Sequence, residues 1–253
     1  DDKLRDRYDE ASPPLLAISK QLQRSITRQL QDQRRGGKQT GLYMGRRLDI
    51  HSLPRNDGRV FSKMSLPNET PELALALLLD ESGSMGCGSR ATYARASAII
   101  LYDFCQSLGI PVMVYGHSAY SGVELYSYAE FDSIDKLDRY RLMDISARGN
   151  NRDGAALRFV AEQLAKRPED IRLLILVSDG QPADSGYYGT AAEEDLRGIK
   201  TEYRRKGICF VAAAIGDDKD SIERIYGDAY MDISDLHTLP ITLTNVVKRF
   251  IRT

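Results

Sequence analysis

The 253-residue chain is poor in the features that would place it in several common classes. Its 35 basic and 36 acidic residues leave a net charge of −1, so it has no electrostatic footprint for nucleic acid or an anionic membrane. Apolar runs such as Leu73–Leu79 fall far short of the roughly 20 residues of a membrane-spanning helix. Cysteines number three (Cys87, Cys105, Cys209), none in a Cys-x-x-Cys pair. That argues against a zinc site or a disulfide framework and makes a reducing, cytoplasmic setting the expectation. The three histidines, His51, His117 and His237, form no His-x-x-x-His pair. Gly83 and Gly88 have the spacing of a phosphate-binding loop, yet Ser89-Arg90 stands where that loop needs Lys-Ser/Thr. With Asp80 and Glu81 at its mouth, such a loop would repel a triphosphate. The chain opens Asp-Asp without a methionine, which reads as a piece of something longer.

What is present is an ordinary core-forming composition, 42% hydrophobic and 28% charged. Two textures divide it. Residues 1–72 carry no strand-like apolar run. There, Pro13-Pro14 leads into Leu15, Leu16, Ile18, Leu22, Ile26 and Leu30 at helical spacing, ending at Gly36-Gly37, and Pro54, Asn56-Asp57-Gly58 and Pro67 mark turns. This predicts an N-terminal helix and an extended arm or linker.

Residues 73–253 alternate strands with helices. Strands are expected at 73–79, 111–115, 123–128, 173–177, 209–215 and 230–233. Helices are expected at 92–108, 154–166, 191–206 and 236–250. Strands apolar on both faces predict an α/β fold with a doubly wound, mostly parallel six-stranded sheet. The short link from Gly116 to Gly122 allows a hairpin, hence one antiparallel edge strand, since a parallel return needs a crossover.

Asp80 closes the first apolar strand, followed at alternate positions by Ser82 and Ser84 around a glycine. A carboxylate and two hydroxyls in that pattern offer half a shell for a hard cation, Mg²⁺, Mn²⁺ or Ca²⁺, and exclude soft metals. A later run, Arg172–Ser178, repeats the logic and ends in Asp179-Gly180. If the two strands are neighbours, Asp179 faces Asp80 at the switch in strand order, where such sheets bind ligands. Gly149-Asn-Asn-Arg-Asp-Gly154 supplies another polar loop before a helix. Each motif also has a plain reading: Asp80 and the serines as caps for a helix near Ser89, Asp179-Gly180 as a turn, Asn151 and Asp153 as caps of the helix from Gly154.

Asp80-x-Ser-x-Ser, a polar loop before a helix, and a strand-end Asp resemble the metal-ion-dependent adhesion site of von Willebrand factor A domains. In that family Asp, Ser and Ser come from the first loop, Thr from the second and Asp from the third. The resemblance therefore implies Asp80, Ser82, Ser84 and Asp179 as metal residues. Asn151 stands where the Thr is expected, with Asp153 as its alternative or as a supporting acceptor. Asn-x-Asp-Gly-x-Ala-Leu (151–157) and Gly45–Ile50 through Val60-Phe61 are similar to the cobaltochelatase CobT type. Ser178–Pro182 followed by Tyr187-Tyr188-Gly189 resembles nitric oxide reductase activation proteins of the NorD type. The resemblance implies a non-catalytic partner-binding module. It also implies as partner a hexameric AAA+ ATPase of the MoxR class, or the target metalloenzyme it remodels, offering an acidic side chain, in tetrapyrrole metal insertion (as in cobalamin biosynthesis) or metalloenzyme activation.

His117, at the end of the second strand, and Tyr187 and Tyr188 after Asp179 are candidates for partner contact. The rival reading is a Mg²⁺-dependent aspartyl-phosphate phosphotransferase or phosphatase with Asp80 as nucleophile. Against it, Ser82 stands where a second acid is wanted, and Lys166 and Lys200 sit on helices. Strand-end loops are expected to be exposed, so replacing Asp80 should barely disturb the fold.

Overall fold

The computed structural model describes residues 2–34, 37–42, 47–55, 59–65, 71–180, 182–215 and 219–251. They form two compact units, one made of Asp1–Ser25 with Glu72–Thr253, the other of Ile26–Pro71.

The chain enters through helix α1 (Asp2–Arg34), which begins well before the expected start and carries Pro13 and Pro14 in its interior. Each proline removes one backbone hydrogen bond to the carbonyl four residues back. Here those residues, Asp9 and Glu10, are exposed as the prolines are, so water can serve the carbonyls the prolines leave. In the larger unit Tyr8, Ser12, Ile18, Ser19 and Leu22 are buried on one face of α1. The Tyr8 ring meets Tyr140 edge-on at 5.4 Å, and the Ser19 hydroxyl donates to Asp103 at 2.6 Å.

The smaller unit contains strands that the sequence pattern did not reveal: β1 (Gly37–Leu42), β2 (Arg47–Leu48) and β3 (Phe61–Ser65), ordered β1-β3-β2 and antiparallel. The turns expected at 56–58 and at Pro67 lie outside the described residues.

The larger unit holds the expected six-stranded sheet. In chain order it runs β4 (Leu73–Asp80), α2 (Arg90–Leu108), β5 (Val112–Ala119), β6 (Val123–Ala129), α3 (Asp138–Arg141), α4 (Asp153–Ala165) and β7 (Ile171–Ser178). A short hairpin follows, β8 (Ala183–Asp184) with β9 (Tyr187–Tyr188). The unit ends with α5 (Gly189–Arg205), β10 (Ile208–Ala214), α6 (Lys219–Tyr226), β11 (Tyr230–Asp232) and α7 (Leu239–Ile251). Strand order is β11-β10-β7-β4-β5-β6; every pairing is parallel except the β5–β6 hairpin. Helix α6 was not anticipated.

β4 is buried along its whole length, which is why its sequence is a continuous apolar run instead of an alternating one. Ala74, Ala76 and Leu78 share a core with Ala156, Val160 and Ala161 of α4 and with Ala212 and Ala214 of β10. The alanines on both sides bring α4 close to the sheet. The chain leaves β4 in one direction to β5 and returns past it to β7, so the order reverses between β4 and β7. Leu79 is level with Val177 there, and Asp80 with His117 of β5. None of the described helices is long and apolar enough to cross a membrane.

One contact beside the switch point sets a demand on sequence. Glu81 is buried; its Oε1 accepts from the Tyr128 hydroxyl at 2.6 Å and its Oε2 from Arg148 Nε at 2.7 Å. A Cβ on Gly116 would stand 1.7 Å from Glu81 Oε1. Gly116→Ala should therefore push the carboxylate off its partners and cost about 3 kcal/mol, the scale of a broken buried ion pair. Denaturant unfolding measures it, and a loss below about 1 kcal/mol would mean that Glu81 relocates freely.

Candidate functional site

Three loops meet at the carboxyl end of β4 and β7, and backbone hydrogen bonds stitch them together. Gly83 N–H donates to Gly149 O at 2.6 Å, Ala119 and Asn150 exchange bonds of 2.9 and 2.7 Å, and Ala183 N–H donates to Asn151 O at 3.1 Å. The first loop (81–89), the loop before α4 (149–152) and the loop after β7 are thus held in register by main chain, independent of their side chains.

Inside this frame Asp80 is 1% exposed. Its Oδ1 accepts from Ser82 N–H at 2.8 Å; its Oδ2 accepts from Asn151 Nδ2 at 2.7 Å and from the Ser178 hydroxyl at 2.9 Å. The expectation of an exposed Asp80 is therefore not met, because the loops before α4 and after β7 close over it. Ser82 Oγ and Ser84 Oγ lie 2.9 Å apart, and Ser84 donates to Asp179 Oδ1 at 2.9 Å. Ser84 is exposed, whereas Ser82, Asn151 and Asp179 are buried. All five residues, Asp80, Ser82, Ser84, Asn151 and Asp179, belong to one chain of polar contacts.

Asp153 is set slightly apart. It opens α4, where a carboxylate suits the positive end of the helix dipole, and its Oδ1 is 3.1 Å from His117 Nε2, too poorly aligned for a hydrogen bond. His117 is fully buried. That removes it from any partner surface, contrary to expectation: its strand position points it beneath the site instead of onto the rim. Tyr187 is anchored, its hydroxyl donating to Asp195 Oδ2 at 2.8 Å. Gly154 makes this possible, since a Cβ there would stand 2.3 Å from that hydroxyl. Tyr188, by contrast, is 69% exposed at the rim. Cys87 is an exposed free thiol in the first loop.

Two residues join the cluster that the sequence reading did not assign to it. Ser178 could have been read from its place beside Asp179 at the strand end. Arg90, the first residue of α2, sends Nη1 to Asp179 Oδ2 at 2.9 Å, and no local pattern announces a contact across 89 residues.

The electrostatics are strained. Burial raises the Asp80 carboxyl to about 6, and Asp153 and Asp179 push it the same way, against His117 and the Ser82 hydrogen bond. Burial opposes charge on His117, but Asp153, then Asp80 and Glu81, lift it above its ordinary value. Asn151 Oδ1 is buried with no hydrogen-bond partner among the described residues. Such an orphaned oxygen is costly unless something absent from the chain engages it. Also among the described residues, no three His, Cys, Asp or Glu side chains gather into a metal-binding group. The donors here are mainly hydroxyl and amide, the set that hard cations take.

The family model for the von Willebrand factor type A domain matches residues 74–233. The chain is 22% identical over 262 residues to the uncharacterized protein YojO of Bacillus subtilis, covering 96% of this chain and 40% of YojO. It is 25% identical over 177 residues to protein NorD of Brucella melitensis, covering 68% of this chain and 25% of NorD. It thus spans well under half the length of these relatives. Among solved structures it resembles manganese-loaded TRAP protein of Plasmodium vivax, with a TM-score of 0.50 at 18% identity, covering 72% of this chain and 74% of that one. With the family model covering more than half its length and the sheet order and strand directions as expected, the chain belongs to the von Willebrand factor type A domain family.

Proposed function

We propose that this chain is a non-catalytic module that binds a partner protein through a divalent cation, Mg²⁺ or Mn²⁺ before Ca²⁺. Asp80, Ser82, Ser84, Asn151 and Asp179 would hold the ion, directly or through water, with Asp153 supporting from below. The observation that carries the reading is Asn151 Oδ1, a buried oxygen with no partner among the described residues, in a cluster whose carboxylates repel one another. The manganese in the TRAP relative supports it. A cation held there would supply one open position to a carboxylate of the partner. The exposed rings of Tyr120 and Tyr188 offer contact area on the same rim.

The NorD likeness and the resemblance to the CobT type support an accessory role beside a MoxR-class AAA+ ATPase, in metal chelation or metalloenzyme activation. The aspartyl-phosphate reading is less well supported. Both Asp80 oxygens accept hydrogen bonds in a buried pocket, and Lys200 Nζ is turned away to Tyr226 O at 2.7 Å while Lys166 Nζ bonds Gln163.

Calorimetric titration with Mg²⁺ and Mn²⁺ should show one saturable site. Immobilised chain should then retain a MoxR-class ATPase in Mg²⁺ and release it in EDTA. Absence of cation binding both alone and with the ATPase present would overturn the reading; phosphomonoester turnover in Mg²⁺ would favour the enzyme.

A further inference from the structure

We propose that the turn at residues 47–54, in the smaller unit, is a docking surface for a partner protein whose apolar face is bordered by carboxylates. The surface is separate from the strand-end cluster and needs no cation.

The turn is built inside out. β2 ends at Leu48, and a 3₁₀ turn (Ile50–Arg55) follows. Three residues per turn bring residues three apart onto one face. Asp49 and Ser52, so spaced, are buried, whereas Ile50 and Leu53, also so spaced, are 74% and 49% exposed. Leu48, just before them, is 59% exposed. Hydrogen bonds fix the inversion. Asp49 N–H donates to Val60 O at 2.7 Å, Ser52 N–H to Asp49 O at 2.9 Å, and the Ser52 hydroxyl to Asp49 Oδ2 at 2.8 Å. One exposed leucine is ordinary at a protein surface. Three neighbouring aliphatic side chains, held outward while the polar residues between them turn in, make a patch of the kind that marks a binding face.

Charge selects the occupant. Residues 26–71 carry nine Lys and Arg against four Asp and Glu, in a chain whose total charge is −1. Arg47 is exposed at the start of the turn. Asp49, the only acid among the described side chains of this unit, is the residue turned inward. A basic partner would make the apolar contact against like charge, whereas an acidic one gains from both contact and charge and is steered in by the latter.

The test uses a fluorescent 18-residue helical peptide with leucines along one face and glutamates beside them, followed by anisotropy in EDTA. Two controls replace its glutamates with lysine or its leucines with serine. The Glu–Leu peptide should bind, weaken as salt rises, and bind at least tenfold more tightly than either control. Leu48→Ser combined with Ile50→Ser should cost at least tenfold in its affinity with the melting temperature unchanged, since both side chains are exposed. Should the double variant melt lower, Leu53→Ser alone repeats the test. Arg47→Glu should weaken the Glu–Leu peptide and flatten its salt dependence. Absence of binding, equal binding of all three peptides, or unchanged binding in the serine variants overturns the proposal. Sedimentation of the wild type that shows self-association lost in the double variant would assign the face to a second copy instead. Binding to phosphatidylglycerol vesicles lost in the same way would assign it to lipid, and either result overturns the acidic-protein assignment.

Discussion

Asp80→Asn should do two opposite things: abolish saturable Mg²⁺ and Mn²⁺ binding, and make the metal-free chain melt higher than wild type at pH 8. The first follows from charge, because affinity at oxygen sites tracks the number of carboxylates. Losing one of two, with the other already paired to Arg90, should weaken binding on the order of 100-fold or more. The second follows from burial. Asp80 sits at about 6 in the fold, against an ordinary 3.8. The folded state therefore holds this proton more tightly than the unfolded chain, so stability falls as pH rises from about 4 to 6 and stays lower above that. Two units of such a shift are worth about 3 kcal/mol. The amide carries no such penalty but forfeits one accepted hydrogen bond, worth about 1 kcal/mol. A net gain of about 2 kcal/mol, or roughly 5 °C, is the expectation at pH 8, vanishing below pH 4. Calorimetric melts at both pH values, beside the metal titration, measure it. An Asn variant that binds metal normally, or melts well below wild type at pH 8, would contradict the account of Asp80 as a strained ligand.

That prediction also shows where sequence reading reached and where it stopped. The larger unit was legible because its central strands are buried and read as unbroken apolar runs, Leu73–Leu79 and Leu173–Val177, each ending in a polar turn. Register then follows: once β4 and β7 are neighbours, Asp80 and Asp179 must share an end. The smaller unit was illegible for the complementary reason. β1 reads Gly-Lys-Gln-Thr-Gly-Leu and β2 is two residues long, so neither presents a hydrophobic period. The start of α1 was masked by Pro13-Pro14, which mark a helix beginning far more often than a helix interior. At the site, residue types were readable but depth was not. His117 is beneath the cluster and not on its rim, Tyr187 is tied to Asp195, and Arg90 reaches Asp179 from the next helix. Those facts depend on how loops fold over strand ends, which no local periodicity encodes.

The affinity for the cation should bend with pH near 6, and this ties the strain at Asp80 to the proposed binding. A cation and a proton compete for the same carboxylate, so ion binding must expel whatever proton Asp80 retains. With Asp80 at about 6, binding should fall about tenfold per unit below pH 5.5. At pH 5.5 each ion bound should release roughly three-quarters of a proton, measurable by titration in buffers of different ionisation enthalpy. His117 acts in the same direction. It is lifted above its ordinary value, so it takes up its proton ahead of Asp80 as pH falls, and its positive charge then opposes the incoming ion. His117→Gln should move the bend to higher pH, because the imidazole's charge is one of the two influences that hold the Asp80 carboxyl down. If affinity is constant from pH 5 to 7, Asp80 is already ionised in the metal-free chain, and its burial cannot be what primes the site for a cation.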